Sequence, residues 1–230
     1  MNVYAFYEPI REDWVDQKDQ EILVSLWKKS WSHYGWNPII LSLEDAKKHP
    51  LYEEYYNIVK TFPTVNPKTY ELYCFLRWLC FANQGGWMSA ISCINYGFKP
   101  YDPVDKIITS HEHPFIVPTV AIYVPKEKFK IILELIMNYK INHNDFLNVG
   151  GERRPHMSDM ILLNSNLYKT EASVDRKNCL NFSSTYGDLN WKKSLITHYP
   201  TSTTCILGDI DKHKTRTQVV LEDPRWKDIM

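Results

Sequence analysis

The sequence predicts an α/β fold with a mostly parallel central sheet flanked by helices, and three observations carry that expectation. The chain opens on an apolar strand, "NVYAFY" at 2–7, closed by the turn pair Glu8-Pro9. An amphipathic helical pattern follows over 17–35, where Ile22, Leu23, Leu26, Trp27, Trp31 and Tyr34 recur at three- and four-residue spacing. After Gly35, a helix stop, "NPIILSL" at 37–43 reads as a second strand. Strand, helix, strand is a βαβ unit, whose crossover makes its two strands parallel.

The pattern continues less regularly. A shorter helix is expected over 51–60, ended by the two prolines of "TFPTVNP". Residues 68–83 form the strongest helical segment, with Leu72, Phe75, Leu76, Leu79 and Cys80 as its buried stripe. Gly85-Gly86 end it, and "WMSAISCI" reads as one strand entering the centre of the fold. Strand-like pieces recur at 106–110 and 115–124, a helix at 125–140, and another at 156–164 starting near Pro155 or Ser158. The remainder holds a short strand, "SLITHY" at 194–199, and a polar run, "GDIDKHKTRTQ". There is no internal repeat, so the 230 residues read as a single domain with an irregular C-terminal third.

Acidic and basic residues balance at 27 each, which removes any global field toward nucleic acid or anionic lipid. No recognition-helix signature, basic stripe, Walker loop, GxGxxG or GxSxG occurs. Five cysteines (Cys74, Cys80, Cys93, Cys179, Cys205) form no CxxC pair and no zinc spacing, and read as reduced, mostly buried thiols. "HEHP" sets His111 and His113 two apart, a spacing read as loop rather than metal pair. With no signal peptide and no long apolar run, a cytoplasmic protein without a transmembrane segment is expected.

The run "TYELYCFLRWLCFANQGGWMSAISCINYG" resembles the sugar-binding region of GT-A-fold glycosyltransferases. The likeness is closest to the group containing initiating mannosyltransferases, capsular-polysaccharide transferases and toxin glucosyltransferases. There a helix of the form S-D-x-x-R-Y-x-x-L-x-x-x-G-G leads into a strand carrying D-x-D. Arg77 falls on the arginine, Trp78 on the aromatic, Phe81 on the leucine, and Gly85-Gly86 on the glycines. Two departures stand out: the helix aspartate is Cys74, and both metal-holding aspartates are missing, as Ala90 and Ser92. Ala90 is either natural or an inactivating Asp→Ala change; Ser92 is a natural departure on both readings. "SLITHYPTS" is similar to the C-terminal strand that carries a phosphate- or metal-touching histidine, which makes His198 the counterpart. The resemblance implies a GT-A-like, Rossmann-like domain with a nucleotide-sugar-binding half at 1–100 and an acceptor-side half and tail at 101–230. It implies a glycosyltransferase, with a nucleotide-diphosphate sugar as donor and a glycan or other hydroxyl as acceptor. The alternative is a degenerate member that binds a glycan or serves as a scaffold.

Glycosyl transfer leaves a diphosphate on which negative charge develops, and a cation must meet it. Alanine cannot ligate a metal, and a neutral serine hydroxyl anchors a hard dication poorly, so Mn²⁺ or Mg²⁺ at this turn is doubtful and no metal ligand is assigned. Arginine and lysine can replace the metal, because guanidinium binds phosphate oxygens bidentately. The candidates are Arg77, Arg153 and Arg154 beside the mobile-looking Gly150-Gly151, and Lys212, Lys214 and Arg216 in the tail. The plain alternatives are a buried salt bridge for Arg77 and a solvated surface for the others. Asp159, then Glu152, are the candidate general bases for an inverting reaction, although an "S-D" pair also caps helices. Phe6, Tyr7 and Glu8 stand at the end of the first strand, where the base binds in this fold, and Tyr70 and Trp87 are candidates for the sugar pocket.

Overall fold

The structure is a computed structural model and describes residues 1–10, 16–101, 108–109, 121–141, 145–149, 151–167, 183–185, 191–199 and 215–230. Strand β1 (Asn2–Phe6) has parallel neighbours on both sides. On one side β2 (Asn37–Leu41) sets Phe6 opposite Leu41, and on the other β3 (Gly86–Ser89) sets Tyr4 opposite Met88. Beyond β3 lie β6 (Ala121–Val124) and β5 (Ile108–Thr109), both joined antiparallel, so the order is β2-β1-β3-β6-β5. The sheet is therefore mixed, not mostly parallel. Only its first three strands are linked by helical crossovers, which parallel pairing requires.

Residues alternate across a strand, and here that alternation sorts the core into two layers. Val3 and Ala5 face α1 (Gln17–His33) through Leu23, Trp27 and Trp31, together with Trp36, Trp87 and the C-terminal Val220 and Trp226. Tyr4 and Met88 face the other way, against Phe75, Leu76 and Leu79 of α4 (Lys68–Gln84) and Ile132 and Leu133 of α5 (Phe129–Met137). The chain is thus α/β with helices on both faces of the sheet. Between β2 and α4 lie α2 (Leu43–Lys47) and α3 (Tyr52–Val59); α2 carries a Ser42–Asp45 capping box.

The expected single strand over "WMSAISCI" is broken. It leaves the sheet after Ser89 in a turn closed by the Cys93 amide donating to the Ala90 carbonyl at 3.0 Å. Two indoles from α1 hold the break: Trp27 Nε1 donates to Ser89 Oγ at 3.4 Å and Trp31 Nε1 to the Cys93 carbonyl at 3.0 Å. After the turn β4 (Cys93–Asn95) joins a second sheet, antiparallel to β10 (Ile196–His198), which pairs parallel with β9 (Ser183–Thr185). A hairpin of β7 (Phe146–Val149) and β8 (Glu152–Pro155) precedes α6 (Asp159–Leu167). Ser158 caps that helix, its Oγ accepting from the Ile161 amide at 3.2 Å. The polar run also ends in order: α7 (Arg216–Glu222) starts on a capping box of Thr215 and Gln218. His111, His113, Cys179, Cys205, Lys212 and Lys214 lie outside the described residues. Cys74, Cys80 and Cys93 are free thiols. Among the described residues no helix is long and apolar enough to cross a membrane.

Gly85 and Gly86 turn the chain from α4 into β3 with φ of 70° and 95°. A Cβ on Gly85 would sit 2.7 Å from Lys126 Cβ. Gly85→Ala is expected to cost at least about 2 kcal/mol of stability, through the left-handed backbone and the clash together. Chemical denaturation of the variant beside the parent checks this.

Candidate functional site

The carboxyl ends of β1 and β3 open on a cleft, the position where ligands bind in open α/β sheets. It measures about 190 Å³, far more than the roughly 10–15 Å³ that one water needs. Phe6, Tyr7 and Glu8 enter from the end of β1, Tyr70, Tyr73, Cys74, Arg77 and Trp78 from α4, and Ser89 to Ser92 from the turn after β3. Gln17 and Gln20 enter from the first turn of α1, and Arg216 from the start of α7.

Local forces set each wall. The β1–β2 ladder extends one bond further, from the Tyr7 amide to the Leu41 carbonyl, and Glu8 Oε2 accepts from the Leu43 amide at 2.8 Å. Glu8 thereby fastens the strand end to the start of α2. Asp16 caps α1, its Oδ1 accepting from the Asp19 amide at 3.0 Å, which places Gln17 in the first helical position. Helix α7 docks on that same turn: Thr217 donates its amide to Asp19 Oδ1 and its hydroxyl to the Asp19 carbonyl, at 3.3 and 3.1 Å. Arg216 is carried into the cleft by this contact.

Arg77 and Asp159 form a buried ion pair. Asp159 is 1% exposed. Its Oδ2 accepts from Arg77 Nε at 3.0 Å, from Arg77 Nη2, and from Trp78 Nε1 at 2.8 Å. Burial works against the charged guanidinium, but the carboxylate outweighs it and the Arg77 pKa is raised. The carboxylate that meets Arg77 comes from α6, while position 74 on its own helix is a cysteine. Burial pushes the Cys74 thiol up to about 12, so the cysteine stays neutral and cannot take that part. Asp159 serves as an anchor for Arg77, and it does not line the cleft.

Arg216 has the opposite situation. Burial lowers its pKa, partly offset by the Asp19 carboxylate, and no ion pair or hydrogen bond engages its guanidinium among the described residues. An arginine remains protonated at any pH the fold tolerates. The cleft therefore holds one cation already neutralised, Arg77, and one without a contacting counter-charge.

Of the residues singled out from sequence, Phe6, Tyr7, Glu8, Tyr70, Arg77, Ala90, Ser92 and Arg216 come together here. Gly85 and Gly86 sit at the far end of β3, where they shape the turn. Trp87 is core, packed against Trp36 and Phe98. Glu152, Arg153 and Arg154 are exposed on the β7–β8 hairpin, with Glu152 paired to Arg154 at 2.9 Å and Arg153 over the Phe146 ring. His198 pairs in register with Cys93, next to the turn but outside the cleft lining. Among the described residues no cluster of His, Cys, Asp and Glu could hold a metal ion.

Sequence reasoning missed Gln17 and Gln20, whose three-residue spacing at the head of α1 was their signal. Outside the cleft lining, Glu71 is 5% exposed on α4 and accepts from Asn66 Nδ2 at 3.1 Å. Burial raises its pKa to about 7, against the lowering by Asn66. The folded chain thus retains a proton that the unfolded chain releases above the ordinary 4.5. Stability from this group is full below that value and is lost as pH rises toward about 7. The expected loss is about 2–3 kcal/mol. Glu71→Gln should flatten that part of the pH–stability curve, read as the difference between variant and parent melts. Asp159→Ala leaves Arg77 and the Trp78 indole without their acceptor, and about 3–5 kcal/mol of stability should go with it. Urea denaturation measures that loss directly.

A protein-family profile described as "Domain of unknown function (DUF8765)" matches residues 1–102. That span runs from β1 past β4 and contains every cleft-lining residue named above except Arg216. No curated protein matches the chain. No solved structure matches it either.

Proposed function

We propose that the cleft binds a nucleotide-diphosphate sugar and that the chain is a cytoplasmic GT-A-like glycosyltransferase working without a metal at the turn after β3. The observation that carries this reading is Arg216, a partly buried guanidinium that lines the same cleft as Ala90 and Ser92 and makes no ion pair among the described residues. A cation held at a cleft without a contacting carboxylate is available to a ligand that supplies the anion. In this reading Arg216 binds the diphosphate and stabilises the charge that grows on it as the anomeric bond breaks. Arg77, held by Asp159, gives a fixed second dipole beneath the turn. Tyr70 and Ser92 line the space for the sugar, and Phe6 and Tyr73, edge to face at 6.1 Å, flank the base. The acceptor is a glycan or another hydroxyl compound.

A second reading, a binding module that has lost transfer, is favoured by the same turn. Neither Ala90 nor Ser92 carries a charge, and the general-base candidates Asp159 and Glu152 lie outside the cleft. Titration with UDP-, GDP- and dTDP-sugars in EDTA, followed by assay for free nucleoside diphosphate, separates the two. Transfer predicts a melting shift that survives EDTA together with slow release of the diphosphate; a binding module gives the shift alone. Arg216→Ala should weaken nucleotide binding about 10- to 100-fold, the range for lost charge-assisted hydrogen bonds, while leaving the unliganded melt unchanged or higher. A shift that requires Mn²⁺ would contradict the metal-free reading.

A further inference from the structure

A second pocket lies on the side of α4 opposite the cleft and shares no lining residue with it. It measures about 460 Å³, within the size range of small-molecule sites. Its walls are apolar: Val59, Phe62, Leu72, Phe75 and Met157, with Phe62 and Phe75 edge to face at 5.1 Å. Glu71 lines it too, although only 5% exposed. Its Oε2 accepts from Asn66 Nδ2 at 3.1 Å, and no hydrogen bond from a described residue reaches its Oε1. The hydroxyls nearby are spent within the protein, Thr61 on the Ile58 carbonyl at 2.7 Å and Thr64 on the Asn66 carbonyl at 3.3 Å. Lys60 donates to Asn57 Oδ1 above the Tyr56 ring, and Lys68 is exposed at the start of α4. Glu71 is therefore the buried polar group of this pocket with bonding capacity to spare.

We propose that this pocket binds a monoamine, with one ammonium group against Glu71 and an apolar body against the aromatic and aliphatic walls. The proposal stands independently of the nucleotide-sugar reading of the cleft. Glu71 is a carboxyl without a cation of its own, since Arg77 and Asp159, whose charges both act on it, are already paired with each other. Burial disfavours its charged form and raises its pKa to about 7. A ligand ammonium supplies both the donor that Oε1 lacks and the charge that favours ionisation. Aromatic rings in the wall accept a cation beside them better than aliphatic side chains do. The lysines set the charge count. A second ammonium would meet Lys60 and Lys68 on the rim, and a ligand carboxylate would meet Glu71 itself. The other titratable neighbours bring no charge: Tyr70 and Cys74 stay neutral, and burial lowers the pKa of His156, which accepts from the Val65 amide through Nδ1 at 3.2 Å.

The test is calorimetric titration of the full chain with benzylamine, benzyl alcohol, benzoate and p-xylylenediamine. Benzylamine should bind at least about 10-fold more tightly than benzyl alcohol, the range for a hydrogen bond between charged groups. Benzoate should bind more weakly than the alcohol, and the diamine no more tightly than the monoamine. Below about pH 7 the amine should drive a proton off Glu71 into the buffer, so that the observed heat depends on the ionisation heat of the buffer; at about pH 8 that dependence should vanish. Glu71→Gln keeps the shape of the side chain and should bring benzylamine down to the level of benzyl alcohol. The amine–alcohol comparison on the parent chain needs no variant. Equal binding of amine and alcohol, tighter binding of benzoate, or an amine affinity unchanged in Glu71→Gln would overturn the proposal. Failure of benzylamine to bind at millimolar concentration would overturn it as well.

Discussion

The three bonds that converge on Asp159 Oδ2 hold the two parts of the chain together. Arg77 and Trp78 belong to α4, in the first half of the sequence, while Asp159 opens α6, about eighty residues later. A carboxylate this deeply buried is tolerated only because three N–H donors and a full positive charge surround it. With it in place, α4 lies across the sheet at one height, and the residues above it, Tyr70, Tyr73 and Cys74, line the cleft. Removing either partner would strand the other charge in an apolar setting. The pair therefore fixes geometry more than it adds net stability.

A second tether, at the cleft itself, joins the start of α7 to the start of α1 through Thr217 and Asp19. The two helices begin side by side, and each contributes a polar side chain whose bonding is incomplete. Gln17 Oε1 is buried without a partner among the described residues, and Arg216 lines the cleft with Asp19 near it but no ion-pair contact. Other buried polar side chains spend their bonding capacity within the protein. Asn95 accepts from the amides of Gly97 and Phe98 at 3.0 and 2.8 Å. Arg225 spends its guanidinium on Asp223, Thr197 and the carbonyls of Trp191 and Ser194. Against that background, Arg216 stands out as a cleft-lining arginine that no carboxylate contacts among the described residues.

Much of the architecture was legible because its signals were local. The three-and-four spacing of Leu23, Leu26, Trp27 and Trp31 announces α1, and Gly85-Gly86 mark the end of α4 where only glycine suits the backbone. The break at Ala90–Cys93 was hidden because "SAIS" contains no glycine or proline; the turn is imposed by Trp27 and Trp31 from sixty-two residues away. The antiparallel half of the sheet was hidden for a like reason, since strand direction depends on pairing across the fold. Helix α7 had a local signal that the polar run concealed: Thr215 and Gln218 in T-x-x-Q form a capping box. At the cleft, the strand-end residues Phe6, Tyr7 and Glu8 could be placed from topology alone. That Arg77 is neutralised and Arg216 is not could not be read from sequence, because it depends on which carboxylate each one meets.

The central claim is that a diphosphate sits on Arg216 without a metal at the turn. The most direct measurement is a crystal structure of the full chain grown with UDP or GDP in EDTA. The account predicts the diphosphate oxygens within hydrogen-bond distance of the Arg216 guanidinium. A nucleotide bound elsewhere, or seen in the cleft only when Mn²⁺ is restored and coordinated at Ala90–Ser92, would contradict it.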